Sequence, residues 1–211
     1  MPPPGKTPLL DIFYPIVPDV GWLKRLVPLG VRTIQLRLKD AGPAEVRRQI
    51  HESQSICREA GCQFIVNDYW REAIDLGCDF VHLGQEDLAD ADVTAIKKAG
   101  LRLGLSTHDE PELEIALAAQ PDYIALGPIY ETKLKTMKWS PQGLHRIGIW
   151  KKRIGSLPLC AIGGITPERA RGVAAAGADS LAVITDFFTH SNPEARVAQW
   201  VGWARQHDAA C

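Results

Sequence analysis

The 211-residue sequence has no excess of charge of either sign and no long apolar run. Its 24 basic and 25 acidic residues give a formal net charge of −1, which leaves no global field for a nucleic acid or an anionic membrane surface. No apolar segment approaches the roughly 18 residues that a membrane span needs. We therefore expect neither partner, and any anion must be bound by a few basic residues placed locally.

Paired cysteine motifs are also missing. The five cysteines form no CxxC pair and no zinc-type cluster with histidine, and their odd number does not suggest a disulfide framework. Reduced thiols are typical of cytosolic proteins, so we expect a cytoplasmic location. The first residues, Met-Pro-Pro-Pro-Gly-Lys, lack the apolar segment of a signal peptide. We expect residues 1–10 to form a disordered lead and residues 11–207 to form one domain.

What the chain does contain is a repeated unit of β-branched segment, polar loop, amphipathic stretch, and Gly or Pro. The predicted strands are Ile12–Val17, Thr33–Leu36, Gln63–Val66, Phe80–Leu83, Leu101–Leu105, Tyr123–Leu126, Pro158–Ile162 and Ser180–Ile184. The predicted helices are Pro43–Ala60, Trp70–Leu76, Asp92–Ala99, Pro111–Ala119, Gln142–Lys152, Pro167–Ala176 and Pro193–Arg205. Strict alternation predicts parallel pairing, and eight units predict a single (β/α)8 barrel. The alternative, an open doubly wound sheet, usually has a glycine-rich first turn, which is absent here.

Basic and amide side chains end the second predicted strand. In Gln35-Leu36-Arg37-Leu38-Lys39, a period of two places Gln35, Arg37 and Lys39 on one face. Because the carboxyl ends of barrel strands line the active-site face, two cations and an amide there indicate anion binding rather than core packing. A solvated strand edge is the alternative.

Carboxylates follow the next two strands, at Asp68 and at Asp87. Mg²⁺ is usually bound through one or two carboxylates together with phosphate oxygens of a substrate. We therefore predict that Asp68 and Asp87 hold Mg²⁺. Alternatively, Asp68 caps the helix that begins near Tyr69.

Hydroxyl groups and a histidine complete the candidate set on this side. Ser106 ends the fifth strand, where its hydroxyl is able to donate to a phosphate or to cap the helix that starts near Glu110. His82 lies inside the fourth strand, and we interpret it as a satisfied interior residue rather than a catalyst. The long loop from Gly127 to Pro141 contains Thr132 and Lys135, and loops of this kind often close over substrates.

Glycines end the seventh strand, at Gly163 and Gly164, and Ile184 and Thr185 end the eighth. The loops after these two strands commonly hold phosphate in such barrels. Glycine lets backbone N–H groups approach an anion, and a following helix N-terminus adds a favourable dipole. The sequence thus predicts a second anion site.

Seven segments, in this order, resemble the thiamine-phosphate synthase family from about Phe13 to about Ile184. They are IQLRLKD (34–40), FIVNDYW (64–70), VHLGQEDL (81–88), LGLSTHD (103–109), YIALGPIYET (123–132), PQGL (141–144) and AIGGIT (161–166). NDYW and VHLGQEDL are the most specific of them. The resemblance implies a (β/α)8 transferase that joins an aminopyrimidine-methyl diphosphate to a thiazole phosphate and releases diphosphate, giving thiamine monophosphate.

The resemblance also implies residue roles, with small molecules as the partners. Mg²⁺ is held by Asp68 and Asp87, and the catalytic contacts to the diphosphate come from Arg37, Ser106 and Lys135. The pyrimidine diphosphate is bound by Gln35, Arg37, Lys39, Asn67, Ser106 and Lys135. The thiazole phosphate is bound by Thr132, Gly163, Gly164, Ile184 and Thr185. Whether the chain forms a homo-oligomer is left open by the sequence.

Departures from the family pattern touch the thiazole side and keep other functions open. Leu134 stands where the family has a second threonine, Thr185 replaces a serine, and Asp186 brings a negative charge near the proposed phosphate. Thr185 keeps a hydroxyl and should be tolerated. Leu134 and Asp186 are the reasons to consider a barrel that only binds or senses a thiamine-type phosphate, whereas the metal and diphosphate residues favour an active synthase. An isomerase of the thiazole phosphate is a further alternative, although it does not need two carboxylates. A sugar-phosphate isomerase would require an acid/base pair that the strand ends lack.

Leu134 generates the first prediction. Loss of a hydroxyl that donates to an anion costs about 1.5–3 kcal/mol of binding. Leu134→Thr should therefore lower the KM for the thiazole phosphate, measured in a steady-state assay with the other substrate saturating. An unchanged or higher KM would mean that the loop is organised differently.

Overall fold

A computed structural model describes residues 9–132 and 139–210 of the chain. Eight parallel strands pair in chain order within these ranges, and the last pairs with the first, which closes a barrel. The strands are β1 (Phe13–Val17), β2 (Thr33–Leu36), β3 (Gln63–Asn67), β4 (Phe80–Leu83), β5 (Arg102–Thr107), β6 (Tyr123–Leu126), β7 (Leu159–Ile162) and β8 (Ser180–Val183). The predicted (β/α)8 barrel is confirmed, and the predicted lead lies mostly outside the described ranges, so its boundary stays a prediction.

Ten α-helices surround the barrel in the described ranges. They are α1 (Val20–Leu26), α2 (Pro43–Ala60), α3 (Trp70–Asp75), α4 (Gln85–Ala89), α5 (Val93–Lys98), α6 (Glu110–Ala118), α7 (Gly143–Ile154), α8 (Pro167–Ala175), α9 (Thr185–Phe188) and α10 (Pro193–Ala210). Sequence patterns missed α1, α4 and α9, which have 7, 5 and 4 residues, although α3 and α5, with 6 residues each, were predicted. Helices this short show little of the 3.6-residue period, so the pattern detects only some of them. No helix in this part of the chain is long and apolar enough to cross a membrane.

Side chains along each strand alternate between two cores. The larger core lies between the barrel and its helices, and the smaller one fills the barrel interior. The interior core contains Leu10, Tyr14, Ile16, Ile65, Phe80, Tyr123, Ala125, Cys160 and Ala182. The barrel is therefore packed through its middle, as is usual for this architecture, and its polar chemistry is concentrated at the strand ends.

Gly104 in β5 marks a close approach inside the barrel. A side chain there would overlap the ring of Tyr123, which extends from the neighbouring strand β6 and is fully buried. The ring also packs edge-on against Phe80 and Tyr14, with ring centroids 5.6 and 6.4 Å away. Glycine in this strand therefore makes room for one aromatic ring at the centre of the interior core.

This packing predicts opposite effects for two identical substitutions. Gly104→Ala should lower the free energy of unfolding by about 1–3 kcal/mol, because the added methyl overpacks the interior. Gly202→Ala in α10 meets no atom within 4 Å and should raise it by up to about 1 kcal/mol through helix propensity. Urea denaturation of both variants checks the pair, and equal effects would contradict the packing argument.

Candidate active site

The ends of β2 and β3, together with the start of α4, bring charged side chains to one rim of the barrel. Lys39 Nζ lies 3.8 Å from Asp68 Oδ2. Asp68 sits in the left-handed backbone region, with φ of 66°, and its N–H donates to the carbonyl of His82 at 2.9 Å. This bond ties the turn after β3 to the neighbouring strand β4 and holds the Asp68 carboxylate at the rim.

The carboxylates of Asp68 and Asp87 face each other at this rim. Burial raises the pKa of Asp68 to about 6, the negative charge and hydrogen bond of Asp87 add to the rise, and Lys39 and Arg37 oppose it. Two carboxylates that repel each other at partial burial fit a hard divalent cation. In the described ranges no cluster of three or more His, Cys, Asp or Glu residues is suited to a metal, so the rest of the coordination would come from other oxygen donors, such as substrate oxygens or water.

The alternative role for Asp68, a helix cap, is excluded by the geometry. Helix α3 begins after Tyr69, which is the N-cap residue, and no side chain makes a capping hydrogen bond there. By contrast, Asp92 and Asp109 do cap α5 and α6 with their side chains. The carboxylate of Asp68 is therefore directed to the rim and not to a helix end.

Gln35 and Asn67 lie deeper than the charged groups. Both are buried, at 2% and 5% exposure. The Gln35 side-chain amide donates to the Tyr14 hydroxyl at 2.6 Å, so it is anchored from below. Arg37 is half-buried, and its charge lowers the pKa of both His82 and Asp68. Gln35 and Asn67 thus form a neutral floor, and Arg37, just beyond the end of β2, belongs to the charged rim.

Ser106 and His82 are hydrogen-bonded to each other. His82 Nε2 lies 2.8 Å from Ser106 Oγ, and His82 Nδ1 lies 2.6 Å from the Tyr123 hydroxyl. Burial, assisted by the charge of Arg37, lowers the pKa of His82 to about 4, so the ring is neutral near pH 7. Ser106 does not cap α6, whose N-cap is Asp109. His82 is a satisfied interior residue, as predicted, but one of its partners is a candidate site residue.

Two tyrosines of this region were missed by sequence reasoning. Tyr14 and Tyr123 lie in β1 and β6, are 1% and 0% exposed, and join their hydroxyls at 3.1 Å. The sequence could have indicated them, because each is a tyrosine at an inward-facing position of its strand and a buried tyrosine hydroxyl needs a hydrogen-bond partner. Which group is that partner depends on strands that are distant in sequence and are brought together only in the closed barrel.

The second anion site is built where β7 meets the loop after β6. Gly163 and Gly164 have φ of 105° and 63°, and side chains there would collide with backbone atoms of Pro128 and Glu131. In turn, Tyr130 donates its N–H to the Gly163 carbonyl at 3.0 Å. No backbone carbonyl in the described ranges accepts from the N–H of either glycine. The glycines are thus required for packing, and their N–H groups remain able to donate to an anion.

Two of the other residues predicted on this side follow β8, the strand that pairs with β7. Thr185 begins α9, Ile184 precedes it, and both are half-buried. Thr132 is half-buried and is the last residue described before the gap. Lys135 and Leu134 lie outside the described residues, so their predicted roles stay predictions.

The chain is similar to known proteins in both sequence and fold. A model of a family described as thiamine monophosphate synthase matches residues 14–187, from β1 into α9. The chain belongs to the thiamine monophosphate synthase family. It is 58% identical to the thiamine-phosphate synthase of Rhizobium etli over 192 residues, which cover 91% of this chain and 94% of that protein. It is 46% identical to the same enzyme of Neisseria meningitidis serogroup B over 204 residues, which cover 95% and 98%.

The family fold is also found among solved structures. The thiamine phosphate pyrophosphorylase from Pyrococcus furiosus superposes with a TM-score of 0.81 over 93% of this chain and 96% of that one. Their sequences are 24% identical, so this likeness concerns the fold alone. The resemblance seen in the sequence motifs is confirmed at the level of the family.

Asp186, a departure from the family pattern, is neutralised within the fold. Its carboxylate accepts from Arg196 Nε and Nη2, both at 2.8 Å, and from Trp200 Nε1 at 2.8 Å. The side chains of Asp186 and Arg196 are only 7% and 13% exposed. Both partners come from α10, so the carboxylate is held against the helical layer. Its charge is therefore offset by a partner in the fold, and the effect of Asp186 on a phosphate bound nearby stays a prediction.

The pair predicts a strong coupling. Arg196→Met should lower the free energy of unfolding by about 3 kcal/mol, because it leaves a buried carboxylate without its cation. Adding Asp186→Asn should restore at least about 1 kcal/mol of that loss. Denaturant unfolding of the two single variants and the double variant measures the coupling, and additive effects would show that the pair contributes little.

Proposed function

We propose that this chain is a Mg²⁺-dependent thiamine-phosphate synthase. It condenses 4-amino-2-methyl-5-(diphosphooxymethyl)pyrimidine with a thiazole phosphate, giving thiamine monophosphate and diphosphate. The observation that carries the proposal is the Asp68–Asp87 carboxylate pair beside Lys39 and Arg37, at one rim of a barrel of this family. Such a set suits a diphosphate with its cation, and family membership supplies the reaction.

The reaction breaks the bond between the pyrimidine methylene carbon and the diphosphate oxygen. Bound at Asp68 and Asp87, Mg²⁺ would offset negative charge on the departing diphosphate. Arg37 and Lys39 stabilise the same developing charge electrostatically, and Ser106 adds a hydroxyl donor. Lys135 is a further predicted contact from outside the described residues. The stabilisation by these groups grows as the bond breaks, because negative charge accumulates on the departing diphosphate.

The second substrate needs positioning more than activation. The thiazole nitrogen is a neutral nucleophile, so no general base is required to deprotonate it. Its phosphate would be held by the N–H groups of Gly163 and Gly164, with Thr132, Ile184 and Thr185 beside them. Holding both substrates at one barrel mouth converts their encounter into an intramolecular step, which lowers the entropic part of the barrier.

The chief alternative is a barrel that binds a thiamine-type phosphate without turning it over. Leu134 and Asp186 favoured it. The pairing of Asp186 with Arg196 weakens one of these two reasons, since a guanidinium that also pairs with Glu168 already offsets that charge. The rim opposite keeps two carboxylates and two cations together, an arrangement that a binding-only protein has no need to maintain.

Asp87→Ala tests the proposal. The variant should lose turnover of the two phosphorylated substrates by at least about a hundredfold while its circular dichroism stays native, because half of the cation site is gone. Glu86→Ala is the matched control: Glu86 precedes Asp87 in α4 and is exposed. It should keep wild-type activity.

Product is followed by chromatography, with and without added Mg²⁺. Activity of the wild-type chain should disappear in excess chelator and return with Mg²⁺. Full activity in chelator would overturn the metal assignment alone. Absence of product from the wild-type chain under all conditions, with tight binding of the thiazole phosphate, would favour the alternative.

A further inference from the structure

A chain of hydrogen bonds crosses the barrel interior from one candidate substrate residue to another. It begins at the Gln35 side-chain amide, which donates to the Tyr14 hydroxyl at 2.6 Å. It continues from Tyr14 to Tyr123 at 3.1 Å, from Tyr123 to His82 Nδ1 at 2.6 Å, and from His82 Nε2 to Ser106 at 2.8 Å. Five strands contribute to it, and Tyr14, Tyr123 and His82 are almost fully buried.

The direction of each bond follows from the number of hydrogens available. The oxygen of Tyr14 accepts from Gln35, so the single hydroxyl hydrogen of Tyr14 is donated onward to Tyr123. The hydrogen of Tyr123 then goes to His82 Nδ1, which must be unprotonated to accept it. A neutral imidazole with an unprotonated Nδ1 carries its hydrogen on Nε2.

The opposite direction leaves a buried donor unsatisfied. With the amide nitrogen of Gln35 facing Tyr14, a hydrogen donated from Tyr123 to Tyr14 would leave the Tyr14 hydrogen without an acceptor among its hydrogen-bond partners in the described ranges, which are Gln35 and Tyr123. Tyr14 is 1% exposed, so water does not replace the missing acceptor easily. An unsatisfied buried hydroxyl costs about 1–3 kcal/mol, which is sufficient to select the first direction.

The consequence falls on Ser106. We propose that His82 is a positioning residue, which donates from Nε2 to Ser106 Oγ and thereby commits the Ser106 hydrogen to an acceptor at the barrel mouth. This inference rests on the proposed function, in which that acceptor is an oxygen of the departing diphosphate. A hydroxyl with a fixed donor direction is oriented before charge develops, so no reorganisation is needed during the reaction.

The aromatic packing keeps the chain in place. The rings of His82 and Tyr123 stack with their centroids 5.5 Å apart and an interplanar angle of 23°. The absence of a side chain at Gly104 leaves the space in which the ring of Tyr123 lies. Because the rings are fixed by these contacts, removal of one hydroxyl should change the direction of hydrogen bonding more than the positions of the side chains.

Tyr123→Phe is the test variant, since it retains the ring and removes the donor to Nδ1. Without the Tyr123 hydroxyl, no donor to Nδ1 fixes the tautomer of His82, so the direction of its bond to Ser106 is no longer imposed. We expect kcat to fall about tenfold, with the KM for the pyrimidine diphosphate changed less than about threefold. In a Ser106→Ala background, the same substitution should have no further effect on kcat. An equal loss in both backgrounds, or a loss confined to KM, would overturn the proposal.

Thr107→Val is the matched control for loss of a buried hydroxyl. Thr107 neighbours Ser106, donates to the carbonyl of Ala125 and accepts from Trp150 Nε1, all outside the hydrogen-bonded chain. It should lower stability while leaving kcat within about twofold. A kcat loss equal to that of Tyr123→Phe would assign both effects to weakened packing and overturn the positioning role.

Nitrogen-15 spectra of histidine-labelled protein test the direction without any assay. His82 should show a protonated Nε2 and an unprotonated Nδ1 near pH 7, with its signals assigned by their absence in His82→Gln. A protonated Nδ1 would overturn the inference even if the chain is an active synthase. If the predicted tautomer is observed but the chain forms no product, the direction of hydrogen bonding is established and the proposed function is rejected.

Discussion

The register of the eight parallel strands fixes every proposed contact at the barrel mouth. Asn67 pairs with His82, and Ser106 pairs with the interior residue Ala125, so the register sets the height at which each polar side chain reaches the interior. A slip of one residue in any strand would exchange its inward and outward side chains. Such a slip would bury a charged rim residue in the outer core and break the hydrogen-bonded chain. The relative positions of the strand-borne site residues therefore follow from the pairing of the strands.

Charges that nearly cancel over the whole chain are arranged in two different local ways. Lys39 and Arg37 act against Asp68 at one rim, while Asp186 is neutralised by Arg196 in the helical layer. The first group is partly exposed and includes a second carboxylate, Asp87, that raises the pKa of Asp68. Two carboxylates side by side distinguish a site for charged ligands from a structural ion pair. The second group is nearly closed to solvent and has its hydrogen bonds filled. A net charge of −1 hides this contrast completely.

Strand and helix alternation was enough to predict the barrel, because buried parallel strands are continuous apolar segments separated by glycine or proline. The rim residues were predicted for the same reason: strand ends meet at one edge. The pairing of Asp186 was not predictable in this way, since its partners lie on α10, beyond a turn that contains no distinctive pattern. Likewise, the link from Gln35 to Ser106 depends on tyrosines from β1 and β6, and no local pattern records which hydroxyls meet inside a closed barrel.

The glycine pair after β7 constrains how this region can change over time. Gly163 and Gly164 serve as the anchor for the root of the loop after β6, because Pro128 and Glu131 occupy the space of the absent side chains. A family member that lost its phosphate ligand would still need both glycines to seat that loop. Glycine at these two positions in a related barrel would therefore indicate the architecture of the loop as much as the binding of a phosphate. Substitution of either glycine should be harmful even after a change of substrate.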